Sequence, residues 1–180
     1  MKWQVPAPVA ELLDAAAQSP LLVQRSHSPV LQRQEIEQAL PHRDPFLFLD
    51  EVVHLDPEEG WIAARYDLKR GEAIVAGHFP GHPTWPGTLQ VEAIAQAGAI
   101  LYNRKHQTGG EIGLLTNILA ARFIRKITPG ADLYITARVL DYGQMGEVVG
   151  QVLQNGEICS VAAVRFYSCR LLLPRRQRRS

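Results

Sequence analysis

Between positions 77 and 92 the chain reads Gly-His-Phe-Pro-Gly-His-Pro-Thr-Trp-Pro-Gly-Thr-Leu-Gln-Val-Glu, with three prolines and three glycines in the first eleven positions. Prolines fix φ and glycines permit left-handed backbone or close approach, so this is a rigid loop shaped to hold something against the start of the helix that follows. His78 enters the loop, and an imidazole with an unperturbed pKa of about 6.5 suits a general base at neutral pH. Glu92, a turn inside an apolar helix, is expected to be desolvated and pushed toward its protonated form, which makes it a general acid. The first helical N–H groups, around Gly87 and Thr88, lack intrahelical partners and sit at the positive end of the helix dipole. They suit an oxygen that gains negative charge during reaction. The combined chemistry is removal of a proton beside a polarised carbonyl and protonation of a leaving group. His78 and Glu92 are fourteen positions apart. One chain need not bring them together, and opposite subunits of a dimer are an alternative that the sequence leaves open.

Plainer readings stand beside these. A histidine among Gly and Pro is often a turn residue, and a lone Glu in an apolar helix often faces solvent or pairs with an arginine. A zinc site from His78, His82 and Glu92 would need a helix across 78–82, which Pro80, Gly81 and Pro83 forbid, so no metal is expected. His82 and His106 are read as surface residues. His42 and Arg43 are read as loop structure, with Arg43 pairing with Asp44 or a neighbouring subunit. Gln96, one turn beyond Glu92, is read as a buried hydrogen-bond organiser beside it rather than a direct catalyst.

The elements that must position these groups follow from periodicity. Residues 1–34 read as an N-terminal extension with a short helix from Val9 to Ala17, then a segment rich in Gln, Arg, Ser and Pro. Glu35 to Leu40 forms a helical turn stopped by Pro41. Strands are expected at Phe46–Leu55 and Trp61–Leu68, joined by a polar turn. From Pro86 to about Tyr102, apolar residues occupy nearly every face of a proline-free stretch, so this helix should be buried. Five further strands are expected at Ile112–Ile118, Ala120–Ile127, Leu133–Tyr142, Val148–Gln154 and Ile158–Tyr167. Asn155-Gly156 marks a type I′ hairpin between the last two. The whole is an α+β domain over residues 35–170, an antiparallel curved sheet wrapped around a long central helix, with a basic tail at 171–180.

Composition adds exclusions. A formal net charge of +1 argues against a nucleic-acid-binding surface, the basic signal being confined to the terminal arginines. Cys159 and Cys169 lack ligand or C-x-x-C spacing and read as reduced thiols. Without a signal-type segment or a membrane-length apolar run, a cytoplasmic enzyme is expected.

The segment from Gly77 to Gln96 resembles the active-site signature of the (3R)-hydroxyacyl-acyl carrier protein dehydratases, G-H-F-P-G-x-P-x-x-P-G-x-L-x-x-E-x-x-A-Q, matching at Gly77, His78, Phe79, Pro80, Gly81, Pro83, Pro86, Gly87, Leu89, Glu92, Ala95 and Gln96. Leu40-Pro41-His42-Arg43-Asp44-Pro45-Phe46 resembles the family's L-P-H-R-x-P-F element. Ala121-Arg122-Phe123 with Pro129-Gly130-Ala131-Asp132-Leu133 resembles its A-R-F…P-G-D-x-L element, with Ala131 inserted. The resemblance implies a hot-dog fold, a homodimer that often assembles as a trimer of dimers, and dehydration of a 3-hydroxyacyl chain to a trans-2-enoyl thioester. The chain is carried on the phosphopantetheine of acyl carrier protein, with no cofactor of the enzyme's own. By position, His78 would remove the C2 proton, Glu92 would protonate the C3 hydroxyl, and the Gly87 N–H would polarise the carbonyl. Phe79, Trp85 and Gln96 complete the candidate substrate-binding residues. Glutamate at 92 favours simple dehydration over the branch that also isomerises the double bond.

Thr84-Trp85 departs from the small aliphatic residues and methionine usual there. Trp85 is therefore expected to narrow or reshape the acyl tunnel, as in a dehydratase for polyketide, aryl-polyene or other unusual chains. Arg122, Arg125 and Lys126 would suit an acidic carrier and its phosphate, with ordinary strand-edge charge as the equal alternative. Two other functions are weighed: a hot-dog thioesterase, and a non-catalytic acyl-binding subunit of a heteromeric dehydratase.

Overall fold

The structure is a computed structural model that describes residues 4–22, 28–107 and 111–170, with the side chains of 111 and 170 left aside. The basic tail lies outside the described residues. Helix α1 spans Ala7–Gln18, β1 Leu31–Gln32, α2 Arg33–Ala39, β2 Glu51–Asp56 and β3 Trp61–Tyr66. A 3-10 turn at Leu68–Gly71 leads into α3, Glu72–His78, and then α4, Gly87–His106. Strands β4 (Glu111–Phe123), β5 (Leu133–Tyr142), β6 (Met145–Gln154) and β7 (Glu157–Arg170) complete the fold.

The seven strands form one antiparallel sheet in the order β1-β2-β3-β5-β6-β7-β4. Helix α4 lies against its inner face, where Ile94, Ala97, Ile100 and Leu101 are buried among Ile62, Ile135, Val152 and Val164. Gly98 allows this approach, since a Cβ there would stand 2.5 Å from Val148 Cγ2. Three basic residues, Arg104, Lys105 and His106, occupy the last turn, where the dipole favours them. This is the curved sheet around a buried helix expected from the sequence.

Helix α1 makes an outer layer. Its Val9, Leu13 and Ala16 are buried against Val149, Leu153, Val161 and Ala163, the side chains of β6 and β7 that alternate away from α4. Both faces of these strands are therefore covered, which explains the consecutive apolar pairs Val148-Val149 and Val152-Leu153 and the run Val161-Ala162-Ala163-Val164. Buried Gln151 fastens the helix end: its Nε2 donates to the carbonyls of Ala16 (2.6 Å) and Ser19 (3.2 Å), and its Oε1 accepts from Leu21 N–H (2.6 Å). β1 and the start of α2 fall within the stretch assigned to the extension, and both are built into the domain. β1 pairs with β2, and Arg33 bonds the Leu49 carbonyl (3.1 Å), Asp50 (2.7 Å), Glu37 and Asp44.

Three local expectations are corrected. Residues 46–50 are not strand: Phe46 N–H bonds back to the Arg43 carbonyl and the Phe48 N–H is taken by a side chain of α4, so pairing begins only at Glu51. The two strands expected at 112–127 are one, β4, kept continuous by irregularities at Leu115/Asn117 and Ile118/Ala120 that shift register along β7. Leu68 belongs to the 3-10 turn, and α3, which carries His78, had no periodic signal of its own at seven residues.

β4 is an edge strand, paired on one side only. Leu114, Leu115, Ile118 and Phe123 on it are 49%, 44%, 52% and 52% exposed, a long apolar edge of the kind that pairs with another chain.

Candidate active site

The loop from His78 to Pro86 is held by its own turns. Gly81 takes φ 82°, His82 N–H bonds the Phe79 carbonyl (2.9 Å), and Trp85 N–H bonds the Ile127 carbonyl (2.9 Å), which ties the loop to the segment after β4. His78, at the C-terminus of α3, is exposed. Its Nδ1 lies 2.9 Å from the Thr84 carbonyl oxygen. A carbonyl only accepts, so Nδ1 carries a hydrogen, and in the neutral ring the lone pair is then on Nε2, the tautomer a general base needs. Phe79 stacks on the imidazole with ring centroids 4.0 Å apart. Pro86 precedes α4 and lacks an N–H, so the helix begins at Gly87 with its first amide hydrogens unshared. Gly87 lies under Phe123, whose Cε1 would be 2.8 Å from a Cβ there. His78, Phe79, Gly87 and Phe123 line an open cavity of about 490 Å³, with Arg125 and Lys126 on its rim. Arg125 is partly engaged, donating to the Ile158 carbonyl (2.9 Å) and facing Glu157 (3.4 Å). Arg122 sits on β4 and does not line this cavity.

Trp85 lies 1% exposed, packed edge-on to Phe48 (centroids 5.5 Å, 86°) and beside Tyr66 (5.6 Å). It is part of the core rather than a mobile loop residue. Gly71 makes room for it, since a Cβ there would come within 2.0 Å of the indole. Trp85 is also among the residues that line the His78 cavity.

Glu92 lines a different, smaller cavity with His42, Gln96, Ile112, Leu115 and Phe166. Gln96, 1% exposed, is fully used: its Oε1 accepts from Phe48 N–H (2.9 Å), and its Nε2 donates to the Phe46 carbonyl (2.9 Å) and to Glu92 Oε1 (2.9 Å). The carboxyl group is thereby anchored to the loop before β2. His42 Nε2 approaches the same Oε1 at 3.5 Å. From sequence, His42 is expected to have no role beyond loop structure, and its neighbour Arg43 does not pair with Asp44 within the chain. Arg43 bonds the carbonyls of Leu40 (2.9 Å) and His42 (2.6 Å), while Asp44 is taken by Arg33 and Arg70. Fifty positions separate His42 from Glu92, and no local pattern signals so distant a contact.

Within one chain His78 and Glu92 thus line different cavities. Both cavities border β4, however, at opposite ends: Ile112 and Leu115 near its start line the Glu92 cavity, and Phe123 at its end lines the His78 cavity.

The profile of the FabA-like domain family matches residues 40–162, a span holding His42, His78, Trp85, Gly87, Glu92 and Gln96. The chain belongs to the FabA-like family. It is 35% identical over 147 residues, 81% of its length, to the 3-hydroxyacyl-(acyl-carrier-protein) dehydratase FabZ of Protochlamydia amoebophila, covering 95% of that protein. It is 40% identical over 131 residues, 71% of its length, to the FabZ of Syntrophomonas wolfei, covering 89%. Among solved structures, the dehydratase heterocomplex ApeI:P from Xenorhabdus doucetiae superposes with a TM-score of 0.64 at 18% identity, over 81% of this chain and 94% of that one. A phenylacetic acid degradation-related protein from Ralstonia eutropha, described as a putative thioesterase, gives 0.51 at 21% identity over 64% and 82%. At such identities these two likenesses speak for the hot-dog fold alone. Helix α1 lies outside the matched family span.

Proposed function

We propose that this FabA-like protein dehydrates (3R)-3-hydroxyacyl thioesters carried on acyl carrier protein to trans-2-enoyl thioesters, in a dimer whose active sites each join His78 of one subunit to Glu92 of the other. The placement of the two half-sites at opposite ends of one exposed edge strand carries this reading. Antiparallel pairing of β4 with β4 of a second copy about a two-fold axis sets the start of one strand beside the end of the other. A pairing centred near Ile118 therefore brings the Glu92 cavity of one copy against the His78 cavity of its partner, and covers the apolar edge.

In such a site His78 Nε2 takes the C2 proton while the Gly87 and Thr88 N–H groups stabilise the enolate-like thioester oxygen. The C2–H electron pair becomes the C2=C3 bond, the C3–O bond breaks, and Glu92 supplies the proton with which the hydroxyl departs as water. No electrons are gained or lost overall, so the chemistry asks for no redox cofactor. Arg125 and Lys126 at the cavity mouth suit the phosphate of phosphopantetheine and an acidic carrier. Trp85, which lines the same cavity, sets how far an acyl chain can extend. No described helix is long and apolar enough to cross a membrane, and we place the reaction in the cytoplasm.

The test incubates the protein with 3-hydroxyacyl carrier protein and follows loss of one water by mass spectrometry. The wild type should form enoyl thioester, and His78→Ala or Glu92→Gln should slow it by roughly 10²-fold or more. Free acid would point to thioester hydrolysis. Activity restored only by a second, different chain would point to a heteromeric dehydratase. Unimpaired turnover in either variant would end the proposal.

A further inference from the structure

The carboxyl group of Glu92 is approached by two donors on the same oxygen. Gln96 Nε2 stands 2.9 Å from Oε1 and His42 Nε2 stands 3.5 Å from it. Oε2 has no partner among the described residues. A carboxylic acid carries its hydrogen on one oxygen and accepts on the other, so donors gathered at Oε1 make that oxygen the acceptor and place the transferable proton on Oε2. After transfer, the same donors remain on the anion that forms.

We infer that His42 is a positioning residue for the proton donor, donating from Nε2–H to Glu92 Oε1 so that Oε2 faces the departing hydroxyl. This rests on the dehydratase reading above and adds a residue to it. Three observations support the assignment. His42 Nδ1 is buried with no hydrogen-bond partner, which suits the lone pair of a neutral ring whose single hydrogen sits on Nε2, since an unpaired N–H there would be worse placed. Burial holds the imidazole below its ordinary pKa; the Glu92 carboxylate draws it back upward and the Arg43 guanidinium presses it down. A ring that resists protonation donates to the acid without competing for its proton. Finally, the ring is clamped through its backbone, because Arg43 bonds the carbonyls of both His42 and Leu40. The charged or titratable groups facing this pair are His42, Glu92 and Arg43 alone among the described residues, since β4 and β7 contribute Ile112, Gly113, Leu115 and Phe166 to the cavity.

The test uses the full chain, His42→Ala and His42→Gln, with 3-hydroxyacyl carrier protein as substrate. His42→Ala should lower kcat about tenfold, a part of what positioned proton transfer supplies, with KM changed less than about twofold. His42→Gln, whose amide can donate from the same side, should recover most of the loss. Independently of turnover, the His42 Cε1–H signal in NMR should titrate below the ordinary histidine range, and its chemical shift at neutral pH should move in Glu92→Gln, which changes the acceptor facing Nε2. Wild-type kcat in His42→Ala, equal losses in both variants, or a His42 chemical shift unmoved by Glu92→Gln would each overturn the inference. A wild-type protein that dehydrates nothing would overturn the dehydratase reading instead, and the NMR comparison would still decide the His42–Glu92 contact.

Discussion

Replacing Gln96 by leucine separates the scaffold of the acid from its chemistry. The side chain is 1% exposed and makes three hydrogen bonds, to Phe48 N–H, the Phe46 carbonyl and Glu92 Oε1, each at 2.9 Å. Leucine has nearly the same volume and leaves all three groups without this partner. Phe48 is wholly buried, so its orphaned N–H carries the full desolvation penalty of about 1–3 kcal/mol. The Phe46 carbonyl and Glu92 are partly reached by water and cost less, and the buried leucine recovers part of the deficit because it needs no desolvation of an amide. The net loss should be about 2 kcal/mol. Urea unfolding of the wild type and Gln96→Leu, with m-values compared, measures it. The same variant should lose more than tenfold in kcat, because Glu92 is no longer tied to the loop before β2. A stability change below about 0.5 kcal/mol, within the scatter of surface substitutions, together with wild-type kcat, would refute the reasoning that Gln96 fixes the acid.

Other outcomes follow from the same coordinates. Gly87→Ala would push a methyl to 2.8 Å from Phe123 Cε1 at the helix start; kcat should fall at least tenfold in the carrier-protein assay. Gly98→Ala would set a methyl 2.5 Å from Val148 Cγ2 between α4 and β6 and should cost about 1–3 kcal/mol by overpacking, read from thermal unfolding. Leu13→Ala in α1, whose side chain is 0% exposed, should cost about 2–5 kcal/mol in urea unfolding and leave kcat of the folded enzyme unchanged. His42 is held below its ordinary pKa, so the unfolded chain binds a proton first as pH falls. Its contribution is complete above about pH 6.5 and is lost progressively below that. His42→Gln should flatten this part of the stability profile.

Much of this was legible in the sequence because it is local. The prolines and glycines from 77 to 87, and the apolar run of α4, state their conformations within a few residues, and they carry His78, Gly87 and Glu92. Gln96 was legible too, one helical turn from the carboxyl group it bonds. What escaped depends on pairing across distance. His42 reaches Glu92 across fifty positions, and nothing within a few residues of His42 encodes that. The burial of Trp85 was not legible because its partners Phe48, Tyr66 and Gly71 come from three other segments. β4 read as two strands because its two register shifts break the alternation that marks a single one. The apolar outward side chains of β6 and β7 became intelligible only with α1 packed across them.

The central claim is that each site is completed across the β4 edge, and mixing two dead variants tests it most directly. His78→Ala and Glu92→Gln should each be inactive alone. Co-expressed so that subunits assort at random, half of the dimers are mixed and each holds one intact site of two, so about a quarter of wild-type activity should return. A mixture that stays as inactive as its parents, with mixed dimers present by native mass spectrometry, would contradict the account.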